Sequence, residues 1–114
     1  MESILTSIKK LLGIYEADTS FDIDIIIHIN TVFMILRQMG IGPSEGFSIT
    51  GSYETWSDYL SDTSLIESVK TYVALKVRLI FDPPASSAII EAMNRTIGEL
   101  EWRLNVQADY PKSF

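Results

Sequence analysis

The feature that most constrains the fold of this sequence is the segment Phe81-Asp82-Pro83-Pro84, which separates two long helical patterns. A residue before proline is pushed out of the α-helical region, and two successive prolines cannot continue the hydrogen-bond ladder, so a helix must end at Asp82. Ser86 or Ser87 can then cap a new helix. We therefore predict an antiparallel helical hairpin, with helices over residues 65–81 and 87–106.

The second helix of this hairpin carries an apolar stripe and a charged face. The stripe has spacings of three and four and comprises Ile90, Met93, Ile97, Leu100 and Leu104. The charges recur at intervals of four and comprise Glu91, Arg95, Glu99 and Arg103. We predict that the stripe anchors the helix in its own bundle and that the charges contact a neighbouring subunit. Gly98 costs about 1 kcal/mol relative to Ala within a helix, so we expect another backbone to approach it closely.

Two further helices precede the hairpin. The first is predicted over residues 3–12, ends at Gly13 and turns Lys9 and Lys10 away from its apolar side. The second, over residues 21–39, is the predicted central core helix, although Ile25-Ile26-Ile27 also fits a buried strand. We prefer the helix because the apolar pattern continues without a turn signal. Its predicted core positions are Ile23, Ile25, Ile26, Ile27, Ile29, Val32, Phe33, Leu36 and Met39, which leaves Asp24, His28, Thr31 and Arg37 for solvent.

A loop at residues 40–54 holds four of the six glycines of the chain. Long loops in compact domains either have a function or order only on contact, and both interpretations stay open here; residues 47–50 can add a short strand to a neighbour's loop. A short helical turn at residues 55–60 is predicted to place Trp56 and Leu60 in the core, and a flexible tail is predicted over residues 107–114. The candidate docking residues of the loop and the tail are Phe47, Ile49, Tyr53, Tyr110 and Phe114.

Together these elements predict an all-α fold, a small bundle of four main helices plus a short helical turn, in a single domain over residues 1–114. Apolar residues make up 46% of the chain, so we expect part of the apolar surface to meet a partner. The net charge of -6 argues against binding nucleic acid by charge neutralisation. Because the N-terminus lacks the pattern of a signal peptide and no apolar run approaches the ~20 residues of a membrane span, we expect a soluble chain made in the cytosol.

The sequence offers little catalytic chemistry. It contains no cysteine and one histidine, which excludes disulfides, thiolate nucleophiles and the common zinc sites. His28 follows Asp24 by one turn, as in a carboxylate-oriented base, but no motif places a nucleophile beside it, so a packing role is preferred to a hydrolase. Glu91, Glu99 and Glu101 lack the Glu-x-x-His pairs of di-iron bundles. We predict no catalytic residue, no metal and no cofactor.

Several segments carry a more specific signal when they are taken as an ordered set. They are residues 6–13 (TSIKKLLG), 19–22 (TSFD), 28–30 (HIN), 55–60 (TWSDYL), 69–73 (VKTYV), 78–84 (RLIFDPP), 90–95 (IEAMNR) and 99–104 (ELEWRL). In this order the segments resemble the head-tail connector proteins of long-tailed bacteriophages that infect Gram-positive bacteria. The resemblance covers nearly the whole chain and leaves out the last eight residues.

This resemblance implies a structural virion protein without catalytic activity. Connectors of this kind are small helical bundles that form a ring, a dodecamer in the virion, beneath the portal. The implied partners are further copies of the chain, the portal protein and a stopper or tail-completion protein, with DNA only as cargo in the channel and no membrane. The implied location is the head-tail interface of the virion, after synthesis in the bacterial host cytoplasm. The residues leave open an alternative, a small acidic helical regulator or adaptor that binds one protein partner.

Overall fold

The computed structural model describes residues 2–109, without the side chain of Asp109, and folds them into a bundle of helices. The helices are α1 (Ile4–Leu11), α2 (Asp22–Gln38), α3 (Trp56–Tyr59), α4 (Thr63–Phe81) and α5 (Ser87–Asp109). No strand occurs within residues 2–109, and an isolated antiparallel bridge joins Ser3 to Thr55. Helix α4 lies at the centre, because it contacts α1, α2 and α5. The predicted all-α fold, with four main helices and a short helical turn, is confirmed.

Local capping signals set the ends of α1. Ser3 Oγ accepts a hydrogen bond from the backbone N–H of Thr6 at 3.3 Å, which satisfies one of the free donors at the start of the helix. Gly13 follows the helix with a φ of +79°, a conformation that glycine adopts without a steric penalty. The predicted stop at Gly13 is therefore confirmed, and the helix is shorter than predicted by one residue at each end.

Lys9 joins α1 to the segment that leads into α2. Its ammonium lies 2.8 Å from Asp22 Oδ1 and donates to the backbone carbonyls of Glu16 at 3.0 Å and Asp18 at 2.7 Å. The side chain is 3% exposed, so Lys9 is buried although it was predicted to lie opposite the apolar side of α1. The physical reason is that three oxygen acceptors surround the charge and replace its hydration shell.

Helix α2 buries one face and exposes the opposite one. Its fully buried residues are Ile25, Ile29, Val32, Phe33 and Leu36. The prediction that Ile23 and Ile27 complete this core is wrong, because their side chains are 76% and 56% exposed. Each precedes a buried isoleucine by two positions, and two residues turn a helix through about 200°, so Ile23 and Ile27 point away from α1 and α4. The alternative of a strand over Ile25-Ile26-Ile27 is also wrong.

The loop between α2 and α3 packs against the bundle at several points. The side chain of Asn30 on α2 binds the loop through both backbone polar groups of Ile49. Its Nδ2 donates to Ile49 O at 2.9 Å, and its Oδ1 accepts from Ile49 N at 2.7 Å. The side chains of Ile41 and Ile49 are buried in the core. Phe47 packs edge-on against Phe33, with ring centroids 5.5 Å apart.

Helix α3 is a single turn that anchors two aromatic side chains. Thr55 and Asp58 form a capping box, with Thr55 Oγ1 accepting from Asp58 N and Asp58 Oδ2 accepting from Thr55 N. Trp56 is fully buried, as predicted. Leu60, which was predicted to lie in the core, is only half-buried. The neighbouring Tyr59 is 3% exposed and occupies the core in its place.

Helices α4 and α5 form the predicted hairpin. Asp62 caps α4 by accepting from Ser64 N at 3.0 Å, and the helix ends at Asp82 before the two prolines. On α5, Ile97 and Leu104 are buried, and the other members of the predicted stripe are half-buried. Two predictions are wrong. The helix continues to Asp109 instead of giving way to a tail at residue 107. No other segment of the described subunit comes within 4 Å of a Cβ placed on Gly98.

Candidate functional site

The candidate catalytic pair does not form a catalytic arrangement. His28 is half-buried, and its ring lies 6.4 Å from the ring of Phe81, which is the packing role preferred from the sequence. Asp24 is exposed, and no hydrogen bond or ion pair joins it to His28 within residues 2–109. Among these residues, no group of three His, Cys, Asp or Glu side chains is placed to hold a metal ion.

The charged face of α5 is exposed, and its members pair within the helix. Arg95 lies 3.5 Å from Glu91, and Arg103 lies 2.7 Å from Glu99. The four side chains are between 62% and 75% exposed, so each pair contributes only about 0.3–0.5 kcal/mol. These predicted interface residues therefore lie together on one accessible surface of the subunit.

Glu101 differs from Glu91 and Glu99 of α5 because its side chain turns toward α4. Tyr72 OH donates to Glu101 Oε2 at 2.8 Å, and Lys76 Nζ lies 3.9 Å from the same oxygen. Burial raises the pKa of Tyr72, and the hydrogen bond to Glu101 raises it further. This polar contact fixes α5 against α4 beside the apolar stripe.

The predicted docking residues fall into three groups. Ile49 is 1% exposed, so its side chain already packs inside the subunit, and Phe47 is half-buried between Phe33 and Tyr59. Tyr53 is 87% exposed and points away from the bundle. The predicted docking residues Tyr110 and Phe114 lie outside the described residues.

An apolar surface lies on the outside of α2 and includes Ile23 and Ile27, which were predicted to lie in the core. We call it the outer stripe, and it consists of Ile23, Ile27 and Met34, which are 76%, 56% and 55% exposed. The three side chains follow one line along the face of α2 opposite its buried residues. Isolated exposed apolar residues are ordinary, but an aligned set of three large ones indicates an interaction surface.

A groove opens on the far side of the subunit, where α1, α4 and α5 meet. It has a volume of about 270 Å³ and is lined by Leu11, Thr71, Ala74, Leu75, Arg78 and Met93. Most of these side chains are apolar, and Leu11 at its edge is 54% exposed. Sequence patterns missed the groove because no local pattern shows how the faces of α1, α4 and α5 come together.

The surfaces described for residues 2–109 combine the outer stripe of α2, the charged face of α5 and an apolar groove. The profile of the phage connector protein family matches residues 4–111. The chain belongs to this family, and it is a head-tail connector protein of phages, as the sequence resemblance indicated. No curated protein and no solved structure matches the chain at a significant level. Within the described part of the chain, every helix is too short or too polar to cross a membrane.

Proposed function

We propose that the protein is a structural virion component that forms a ring beneath the portal, extends the DNA channel and offers a platform for the stopper or tail-completion protein. The family match supports the connector role. The outer stripe of α2 is the observation that most supports ring formation, because it leaves three large apolar side chains in contact with water. Burial of such surface contributes roughly 25 cal/mol per Å², which favours association.

The charged face of α5 is proposed as a second contact around the ring. Glu91, Arg95, Glu99 and Arg103 pair within their own helix at exposed positions, so they can exchange partners with a neighbouring subunit at small cost. Charge pairs of this kind select the partner and its orientation more than they add affinity.

Docking of other virion proteins is proposed at the loop and at the C-terminal segment. Tyr53 offers an exposed aromatic ring, which is a residue type enriched at protein interfaces. Tyr110 and Phe114 add two further aromatic side chains near the end of the chain. The portal and the stopper or tail-completion protein are the proposed partners of these residues.

DNA is proposed to pass through the ring as cargo. The net charge of -6 disfavours adhesion of phosphate groups to the wall of a channel. No catalytic step, metal or cofactor forms part of this proposal.

The test combines the purified chain with purified portal protein and follows assembly by size-exclusion chromatography with light scattering and by electron microscopy. We expect stoichiometric capture of the chain in rings. A stable dimer without affinity for the portal would contradict the proposal and favour a small acidic adaptor. Arg103→Glu is expected to weaken capture without a loss of helicity, whereas Lys10→Met, a change at an exposed residue of α1, serves as the control.

A further inference from the structure

We infer that the outer stripe of α2 seats in the groove of a second copy of the chain, so that identical subunits join head to tail. This inference rests on the proposed ring and assigns the two surfaces that build it. It concerns Ile23, Ile27 and Met34 on one copy and the groove between α1, α4 and α5 on the next.

The two surfaces lie on opposite sides of one subunit. Thr71 and Leu75 line the groove, and each precedes a buried core valine of α4, Val73 or Val77, by two positions. Two residues turn a helix through about 200°, so the groove lies on the side of α4 away from the core. Helix α2 packs on the core side, and its outer stripe points away from the core. Two different surfaces on opposite sides allow a heterologous, head-to-tail contact between identical subunits, and such contacts generate a ring when the rotation between neighbours closes.

The dimensions of the two surfaces agree. Ile27 and Met34 are separated by two helical turns, about 10.5 Å, and so are Thr71 and Arg78 along the wall of the groove. The groove has a volume of about 270 Å³. An apolar cavity of about 150 Å³ holds a benzene molecule, so this groove has room for the side chains of two aliphatic residues.

Charge complementarity favours a second copy over an uncharged partner. Asp24 is exposed beside the outer stripe, and its carboxylate has no partner within residues 2–109. Arg78 lines the groove and donates from Nε to Asp82 O at 2.9 Å, which leaves its terminal nitrogens without a described partner. The carboxylate of Asp24 beside the outer stripe and the guanidinium of Arg78 in the groove can form a charge-assisted hydrogen bond when the two copies meet.

Disulfide trapping tests the contact directly, because the chain contains no cysteine. Chains with Ile27→Cys and chains with Leu75→Cys are mixed at raised concentration and exposed to a mild oxidant. We expect a covalent one-to-one dimer, formed faster by about tenfold or more than with the control pair Ile27→Cys and Val106→Cys, because seating raises the effective concentration of the two thiols. Equal rates for the two pairs, or faster trapping of the control pair, would overturn the inference.

A second experiment uses blocked surfaces. Ile27→Asp places a charge on the outer stripe, and Leu11→Glu places one at the edge of the groove; both positions are more than half exposed, so folding is expected to persist. Neither variant alone is expected to assemble. Their mixture is expected to stop at a one-to-one dimer, because the intact outer stripe of Leu11→Glu can seat only in the intact groove of Ile27→Asp. Rings from either variant alone would overturn the assignment of the surfaces.

Two further readouts separate this inference from the proposed ring. If wild-type rings form on the portal but Ile27→Cys and Leu75→Cys are not trapped, the assignment of the surfaces fails while the proposed function stands. The introduced thiol of Ile27→Cys is expected to be alkylated more slowly as the concentration of the chain rises, because a second copy then covers it. If only added portal protein slows it, the outer stripe binds the portal and the inference is overturned.

Discussion

The indole Nε1 of Trp56 donates a hydrogen bond to Ser7 Oγ at 2.8 Å and joins α3 to α1 across 49 positions of sequence. Both residues are buried, so the indole N–H has no access to water. We predict that Ser7→Ala lowers the free energy of unfolding by about 1–3 kcal/mol, because it leaves a buried donor unpaired. Urea unfolding followed by circular dichroism measures the change. Ser52→Ala, at an exposed position, is the control, and an equal effect of the two substitutions would contradict the prediction.

Replacing Lys9 tests its role between α1 and α2. Lys9→Met is expected to lower the free energy of unfolding by about 3 kcal/mol, because it removes the cation that neutralises Asp22 in a largely dehydrated contact. Lys10→Met is the matched control, because Lys10 is 76% exposed and lies 3.9 Å from Glu2. Its effect is expected to stay within about 0.5 kcal/mol. The comparison is made by thermal and urea unfolding of the two variants.

Two glycines are predicted to respond to alanine in opposite directions. Gly42 has a φ of +89°, and a Cβ there would lie 2.6 Å from Cε1 of Tyr59, so Gly42→Ala is expected to destabilise the fold by at least about 1 kcal/mol. Gly98 lies on an exposed part of α5, and no other described segment comes within 4 Å of a Cβ placed there, so Gly98→Ala is expected to stabilise the fold by up to about 1 kcal/mol. The melting temperatures of the two variants show whether each substitution destabilises or stabilises the fold. A decrease for Gly98→Ala would contradict the prediction and show that a contact absent from the single subunit constrains this position.

Alkaline pH is predicted to destabilise the fold through two buried tyrosines. Burial raises the pKa of Tyr59 and of Tyr72 above the ordinary value of 10.0. A raised pKa means that the folded state holds the phenolic proton more tightly, so the stabilisation is complete below pH 10.0 and is lost as the pH rises above it. The free energy of unfolding is therefore expected to fall by at most about 1.4 kcal/mol per pH unit for each tyrosine.

Three phenylalanine variants test this pH dependence, and one of them is the control. Tyr59→Phe and Tyr72→Phe are each expected to flatten the decline in stability above pH 10.0. Tyr53→Phe is expected to leave it unchanged, because that ring is 87% exposed. A decline that all three variants share would assign the alkaline unfolding to other groups.

The ends of the helices were predictable because local signals determine them. Gly13 after α1, Asp82 before two prolines and Ser86 before α5 each act within one helical turn, so their effect can be predicted without the fold. The end of α5 carries such a signal as well, because Pro111 follows Asp109 by two residues, but the prediction set the boundary at residue 106 and the helix continues to Asp109.

Which apolar side faces inward was not predictable for α2. Ile27 and Ile29 are identical residues in one apolar run, yet Ile27 is 56% exposed and Ile29 is fully buried. A helix that is apolar on several faces shows no single direction in its sequence pattern, so contacts with α1 and α4 decide which face is covered. Lys9 was not predictable for a different reason, because its partners include two backbone carbonyls, which no pattern of side chains reveals.

The turn that presents Tyr53 is held by its neighbours before any partner arrives. Glu54 Oε2 accepts from the backbone N–H of Thr50 at 2.9 Å and from its hydroxyl at 3.0 Å, while Glu54 O accepts from Ile4 N at 3.0 Å. The backbone on both sides of the aromatic ring is thus already restricted in the free subunit. The proposed docking at Tyr53 would therefore cost little backbone entropy, because preorganisation of a segment lowers the cost of binding.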